Sequence, residues 1–257
     1  MLDYTINNVS SEGTTLVLLH GFLESSNMWK QVDFHADYPT VFIDLPGHGK
    51  STHPELMCDS IAEMAKMVID VMDELGIDVY NLIGHSMGGY VGLEVKNNDS
   101  RAERMMLLNS NFWSDSPQKM KDRIRVAEIV QTNKSHFIYE VIPNLFINPE
   151  EFDIEVKKLI SEALVMSSDA IAKASVAMSK RKDFTDFVLK NSKDFTCIQG
   201  VEDSIVSAKK MRSHVDNSNV VYIELEGVGH MAHFETTKCL NELIDDFQKL
   251  EQKKTET

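Results

Sequence analysis

The sequence predicts an α/β architecture, a mostly parallel sheet wrapped by helices and interrupted by one all-helical insertion. Two patterns carry that reading. Short leucine-rich or β-branched runs alternate with longer stretches whose apolar residues recur every three or four positions. Several of the short runs are apolar at consecutive positions, as a strand covered on both faces requires. The alternation breaks once, over residues 112–192, where helix starts appear without a convincing strand. The 257 residues suit one large domain or two small ones, and the expected division is a core of residues 1–111 and 193–257 around an insertion of residues 112–192.

In chain order, residues 15–19, 40–43, 79–83, 105–108, 195–198 and 220–225 read as strands, and there is room for about one more before Thr15. Between the second and third of these, Ile61, Met64, Ala65, Val68, Met72 and Leu75 fall at helical spacing. Ser60 and Glu63 form a capping-box pair at the start of that helix, and Gly76 stops it. A second helix is expected over residues 90–96, and a last one carries Leu240, Leu243, Ile244 and Phe247. Three helix starts mark the insertion: Ser116 before Pro117, Asn148 before Pro149 with Glu150 and Glu151 in the first turn, and Ser168 before Asp169. Residues 251–257 are all polar and read as a frayed tail.

Lys and Arg number 26 against 40 Asp and Glu, a formal charge of −14. The insertion holds 12 of each sign, so the rest of the chain carries the whole excess. Nucleic acid and anionic membrane reward clustered cations, and neither is an expected partner. No apolar run approaches the ~18 residues of a membrane span, and with Lys30 the first basic residue no positively charged leader is expected. Cys58, Cys197 and Cys239 are odd in number and too far apart for a Cys-x-x-Cys pair. Buried thiols in a reduced, cytoplasmic setting are the expectation.

Gly84-His85-Ser86-Met87-Gly88 stands between a predicted strand and a predicted helix. A serine displayed on so sharp a turn needs neighbours without side chains, because the backbone leaves no room for Cβ two residues either side. Serine becomes nucleophilic at neutral pH only when a base takes its proton. His230, in Gly227-Val228-Gly229-His230 after the last strand, lies on a loop at the same sheet edge, with His233 its rival. An acid must orient that base, and Asp203 in Gly200-Val201-Glu202-Asp203 is preferred over Glu202. The end of the preceding strand offers Asn109 and Ser110, without a carboxylate. A tetrahedral oxyanion needs two backbone donors, for which the N–H groups of Met87 and of Phe22, after Leu18-Leu19-His20-Gly21, are the candidates. His35, His53, His136 and His214 read as solvated or structural.

These motifs resemble the α/β-hydrolase superfamily along nearly the whole chain. His20-Gly21-Phe22 is similar to its oxyanion loop, and the stretch from Asp44 to Ser51 to its D-x-x-G-x-G-x-S turn. Gly84 to Gly88 resembles the nucleophile elbow, Gly200 to Asp203 the acid turn, and Gly229-His230-Met231 the histidine loop. The resemblance implies Ser86 as nucleophile, His230 as base and Asp203 as acid, with the insertion as a helical cap from which the chain returns to the core along Met178, Arg181 and Asp183. Many relatives have two or three strands where this chain has room for one before Thr15. A serine at the elbow disfavours the dehalogenase and epoxide-hydrolase branches, which use aspartate there.

Gly49-Lys50-Ser51 ends like a phosphate-binding loop, but Asp44 stands where that motif needs glycine, and no G-x-G-x-x-G follows a strand. No nucleotide, cofactor or metal is expected, since the histidines lack i,i+4 ligand spacing. The expected substrate is a small-molecule ester of a small or medium carboxylic acid, handled by a monomer or homodimer. Tyr90, Phe112, Trp113 and Phe137 are the candidate substrate-binding residues, among more insertion aromatics than helix packing requires. Phe22-Leu23-Glu24-Ser25-Ser26 and Trp29 also look like the start of the menaquinone-pathway synthase that eliminates pyruvate with the same triad. That branch has arginine after the paired glycines where this chain has Tyr90, so Arg123, Arg125 or Arg181 would have to compensate. A perhydrolase side activity and a receptor-like binding protein that keeps the triad are the other readings.

Overall fold

The computed structural model describes residues 1–9, 11, 13–34 and 38–249, so the expectations for His35 and for residues 251–257 lie outside the described residues. Among these, seven strands form one sheet in the order β1-β3-β2-β4-β5-β6-β7. They are β1 (Tyr4–Asn7), β2 (Thr15–Leu19), β3 (Thr40–Ile43), β4 (Tyr80–His85), β5 (Ala102–Leu108), β6 (Phe195–Gly200) and β7 (Val221–Leu225). All neighbours run parallel except β1 and β3, where Tyr4 faces Ile43 and Asn7 faces Thr40. β1 thus fills the room before Thr15 as an antiparallel edge. β5 starts three residues ahead of its apolar run because Glu103 and Arg104 sit at its solvent end.

The helices are α1 (Ile61–Leu75), α2 (Met87–Asn98), α3 (Pro117–Val141), α4 (Asp153–Val165), α5 (Ser168–Ser179), α6 (Thr185–Lys190), α7 (Ala208–Val215), α8 (Ala232–Glu235) and α9 (Thr237–Lys249). Alternation along the strands sorts the core into two layers. Val17 and Leu19 of β2 pack on the side of α1 and α2, while Leu16 and Leu18 meet Trp29 and the α9 residues Leu240, Ile244 and Phe247. Each side chain of that size taken out of water contributes roughly 1.5–3 kcal/mol, so both faces hold the sheet. At α1 the Ser60 Oγ accepts from the Glu63 N–H at 3.4 Å, and Gly76 ends the helix at φ 62°, a left-handed conformation that favours glycine.

Between β5 and β6 the chain forms α3 to α6 and no strand. Ser116 caps α3 by accepting from the Lys119 N–H at 3.2 Å. The other two starts differ from expectation. Residues 149–152 form a turn and α4 begins at Asp153, so Asp153 and Glu155 supply its acidic first turn. Just before that turn the Ile147 N–H is held by Glu235 Oε1 at 2.7 Å, which fixes the chain outside a helical path. The cap of α5 is Ser167, not Ser168, with Oγ accepting from the Ala170 N–H at 3.1 Å. The two ends of the segment are strapped together. Phe184 N–H donates to the Phe112 carbonyl at 2.7 Å, Ser114 N–H to Asp183 Oδ2 at 3.0 Å, and Arg181 pairs with Asp115 at 2.8 Å.

All three cysteines are free; Cys197 is buried, with its thiol pushed up to about 12 by burial, while Cys58 and Cys239 are only half-buried. Cys58 lies on the loop before α1 and Cys239 on α9, both partly open to solvent, which explains that departure from three buried thiols. No helix among the described residues is long and apolar enough to cross a membrane.

Candidate active site

Strand order reverses between β2 and β4, and in open parallel sheets ligands collect beyond the strand ends at such a point. Ser86 stands there, between β4 and α2, at φ 48° and ψ −113°. A non-glycine residue in that conformation stores strain of order 1–3 kcal/mol, which its surroundings must hold. A Cβ on Gly84 would run into the Gly88 backbone, and one on Gly88 into the Leu19 carbonyl. Ser86 N–H donates to the Leu108 carbonyl at 3.1 Å, and its own carbonyl accepts from Gly89 N–H at 3.0 Å and Ser110 Oγ at 2.7 Å. Both sides of the turn are therefore clamped.

His230 Nε2 lies 2.9 Å from Ser86 Oγ, and His230 Nδ1 lies 2.8 Å from Asp203 Oδ2. With Nδ1–H donating to the carboxylate, Nε2 presents its lone pair to the serine hydroxyl. Asp203 Oδ2 also accepts from Gln199 Nε2 at 2.7 Å and Asn109 Nδ2 at 3.0 Å, while Oδ1 takes the N–H groups of Ile205 and Val206 at 2.8 and 3.0 Å. Burial alone would raise this carboxyl's pKa, but the His230 ring, the Val206 N–H and the Asn109 amide outweigh it and hold the value at about 2. Glu202, the competing acid, is exposed and accepts from Val228 N–H at 3.1 Å. Met87 opens α2, whose first N–H groups have no partner within the helix. Phe22 follows Gly21, whose N–H is held at 2.7 Å by Glu24 Oε2.

A cleft of about 410 Å³ opens over Ser86 and His230, lined on one side by Phe22 and on the other by Phe137 and Met178. Tyr90, Phe112 and Trp113 do not line it; they are buried in the core cluster beside α1 and α2. Tyr90 lies 4.1 Å beneath the Arg181 guanidinium, and Trp113 stacks on His214 at 4.4 Å. The strapped start of the insertion turns both rings of Phe112 and Trp113 towards the sheet side. His53 and His136 are exposed.

A family model described as the alpha/beta hydrolase fold matches residues 14–126, which span β2 to β5, the turn at Ser86 and the start of α3. The chain is similar to a thermophilic esterase from Thermogutta terrifontis, with a TM-score of 0.85 and 24% identity over 96% of this chain and 94% of that one. The chain has the α/β-hydrolase fold. It is also 25% identical over 249 residues, 91% of this chain and 90% of the other, to the uncharacterized hydrolase YugF of Bacillus subtilis (strain 168). A 2-succinyl-6-hydroxy-2,4-cyclohexadiene-1-carboxylate synthase of Yersinia pestis (strain Pestoides F) is 39% identical over only 82 residues, 32% of this chain and 29% of the synthase.

Within this α/β-hydrolase site, sequence reasoning missed a second buried pair. His85 Nδ1 lies 2.8 Å from Glu24 Oε2, and His85 Nε2 lies 2.9 Å from the His230 carbonyl. Both partners are acceptors, so both ring nitrogens donate and His85 is an imidazolium. Burial opposes that charge, yet the Glu24 carboxylate raises the His85 pKa, and His85 in turn brings Glu24 down to about 2 against its own burial. His233, the rival base, lies fully buried beside them, held neutral by burial and the His85 charge with its pKa lowered to about 3. Ligand atoms of Glu24, His85 and His233 fall within 4.8 Å of one another. The shortest of these contacts already carries the proton that closes the ion pair. The signal for Glu24 is its place three residues beyond Gly21, but its partner lies 61 positions away, beyond any local pattern.

Proposed function

We propose that this protein is a serine hydrolase that cleaves esters of small or medium carboxylic acids through an acyl-enzyme, with the helical insertion acting as a cap and no cofactor taking part. The unbroken hydrogen-bonded chain Ser86–His230–Asp203 on the floor of the cleft carries the reading. Ser86 Oγ attacks the ester carbonyl while its proton passes to His230 Nε2, and Asp203 stabilises the resulting imidazolium. The oxyanion lies against the N–H groups of Phe22 and Met87, and His230 returns the proton to the departing alcohol. Water then enters and attacks the acyl carbon as His230 takes its proton, and on collapse the bond to Oγ breaks and His230 returns that proton to Ser86 as the acid leaves. Unpaired cysteines support a reduced, cytoplasmic setting.

The test is a chain-length panel of p-nitrophenyl esters together with a fluorophosphonate label mapped by peptide mass spectrometry. Rapid turnover of the acetate and butyrate with the label on Ser86 is the expected result. A single slow turnover with retained adduct would replace the hydrolase reading with a receptor-like one. The partial likeness to the synthase supports a second reading, a pyruvate-eliminating lyase, which release of pyruvate from the synthase's substrate would establish.

A further inference from the structure

We propose that the cleft selects esters whose acyl chain ends in a carboxylate, such as a monoester of a short dicarboxylic acid; the proposal rests on the hydrolase reading above. Lys119 and Arg123 lie one turn apart on α3 and line the same cleft as Ser86 and His230. Both are held in place. Lys119 Nζ donates to the Ile205 carbonyl at 3.0 Å, on the loop that follows Asp203. Arg123 Nε pairs with Asp115 Oδ2 at 2.6 Å, and its Nη1 contacts Met178 Sδ at 3.2 Å. No hydrogen bond among the described residues uses Arg123 Nη2.

Three cations, Lys119, Arg123 and Arg181, gather around the buried carboxylate of Asp115, with the charge of Asp203 also acting on Lys119. Asp115, whose side chain is 1% exposed, serves two guanidiniums at once, Arg123 at 2.6 Å and Arg181 at 2.8 Å. Among the described residues Lys119 forms no ion pair, although the charges of Asp115 and Asp203 act on it, and burial followed by the charge of Arg123 lowers its pKa. Asp122, on the same lining, is exposed and accepts from Gln118 Nε2 at 2.9 Å, where water screens it. A carboxylate reaching this corner would gain an ammonium and the remaining edge of a planar guanidinium, a combination that neutral acyl chains leave unused. The same lining carries apolar surface from Val126, Phe137 and Met178, which suits the methylenes joining two carboxyl carbons.

The experiment compares p-nitrophenyl butyrate with the mono-p-nitrophenyl ester of glutaric acid, on wild type, K119Q and R123Q. The acidic ester should have a kcat/KM higher by about tenfold or more, and the preference should shrink as salt is raised. K119Q and R123Q should each raise KM for the acidic ester by about tenfold to a hundredfold, more than for the neutral one. Should R123Q not fold, K119Q and the salt dependence of wild type decide. Equal efficiency on both esters with Ser86 labelled by fluorophosphonate, or K119Q kinetics that do not distinguish them, would overturn the proposal and leave the hydrolase reading standing. Absence of label and of turnover on both esters overturns the two together.

Discussion

Ser86, Asp203 and His230 hang from strand ends on the floor of the cleft, each held by backbone groups or several buried donors, whereas the residues facing them project from α3, a helix kinked at Asn133 that buries little of its surface. Floor geometry is dictated by the register of six parallel strands, β2 to β7. Across the cleft, the phase of one helix decides which residues reach the substrate. Reaction type therefore belongs to the sheet, and substrate choice to the insertion.

The comparison breaks most visibly at the nucleophile. S86A should lower kcat by about 10⁶ while leaving the unfolding transition in place, as circular dichroism would check; near wild-type turnover would remove Ser86 from the chemistry. Next comes the pair behind the floor. E24Q leaves the His85 imidazolium buried without its counter-charge and should cost about 3–5 kcal/mol of stability at neutral pH, read as a fall in denaturant midpoint. The sign of the pH dependence follows from the depressed carboxyl. Glu24 has an ordinary value of 4.5 and about 2 in the folded chain, so its stabilisation is present above about pH 4.5 and is lost as pH falls towards 2. His85 is raised, so its contribution is present below about 6.5 and is lost as pH rises through its folded value. E24Q should flatten the acid limb of midpoint against pH, although the Asp203 part of that limb stays, since that group also drops to about 2. The smallest effect belongs to the opposite wall. F137A should raise KM a few-fold for the longer esters with kcat within a factor of about three, because one ring of an apolar wall contributes to ground and transition states alike. A loss confined to kcat would put that ring against the reacting atoms instead.

What the sequence made legible follows the same division. The strands of the sheet, the elbow and the three residues of the hydrogen-bonded chain were readable because glycine-flanked turns leave local marks: Gly84 and Gly88 have no room for Cβ, and Asp203 follows its strand within three residues. Asn109 was visible only as the lack of a carboxylate; in the fold its amide holds Asp203 at 3.0 Å and the Gly229 carbonyl at 2.9 Å. The aromatic residues were readable but their direction was not: Tyr90 of α2 and Phe112 and Trp113 of the insertion went to the core, and Phe137 to the cleft. The start near Asn148 failed because a residue 88 positions away, Glu235, takes the neighbouring N–H. Glu24 and His85 were hidden for the same reason, being informative only as a pair.

The short 3₁₀ turn Pro143–Leu145 ties these two halves mechanically. Its Leu145 carbonyl accepts the backbone N–H of His230 at 3.0 Å, Asn144 takes the Ser204 hydroxyl at 3.3 Å, and Ile147 grips Glu235 at 2.7 Å. An outward swing of the insertion that carried this turn along would draw His230 away from Ser86. Any displacement of the insertion that left the Ser86–His230 hydrogen bond in place would have to pivot about this anchor.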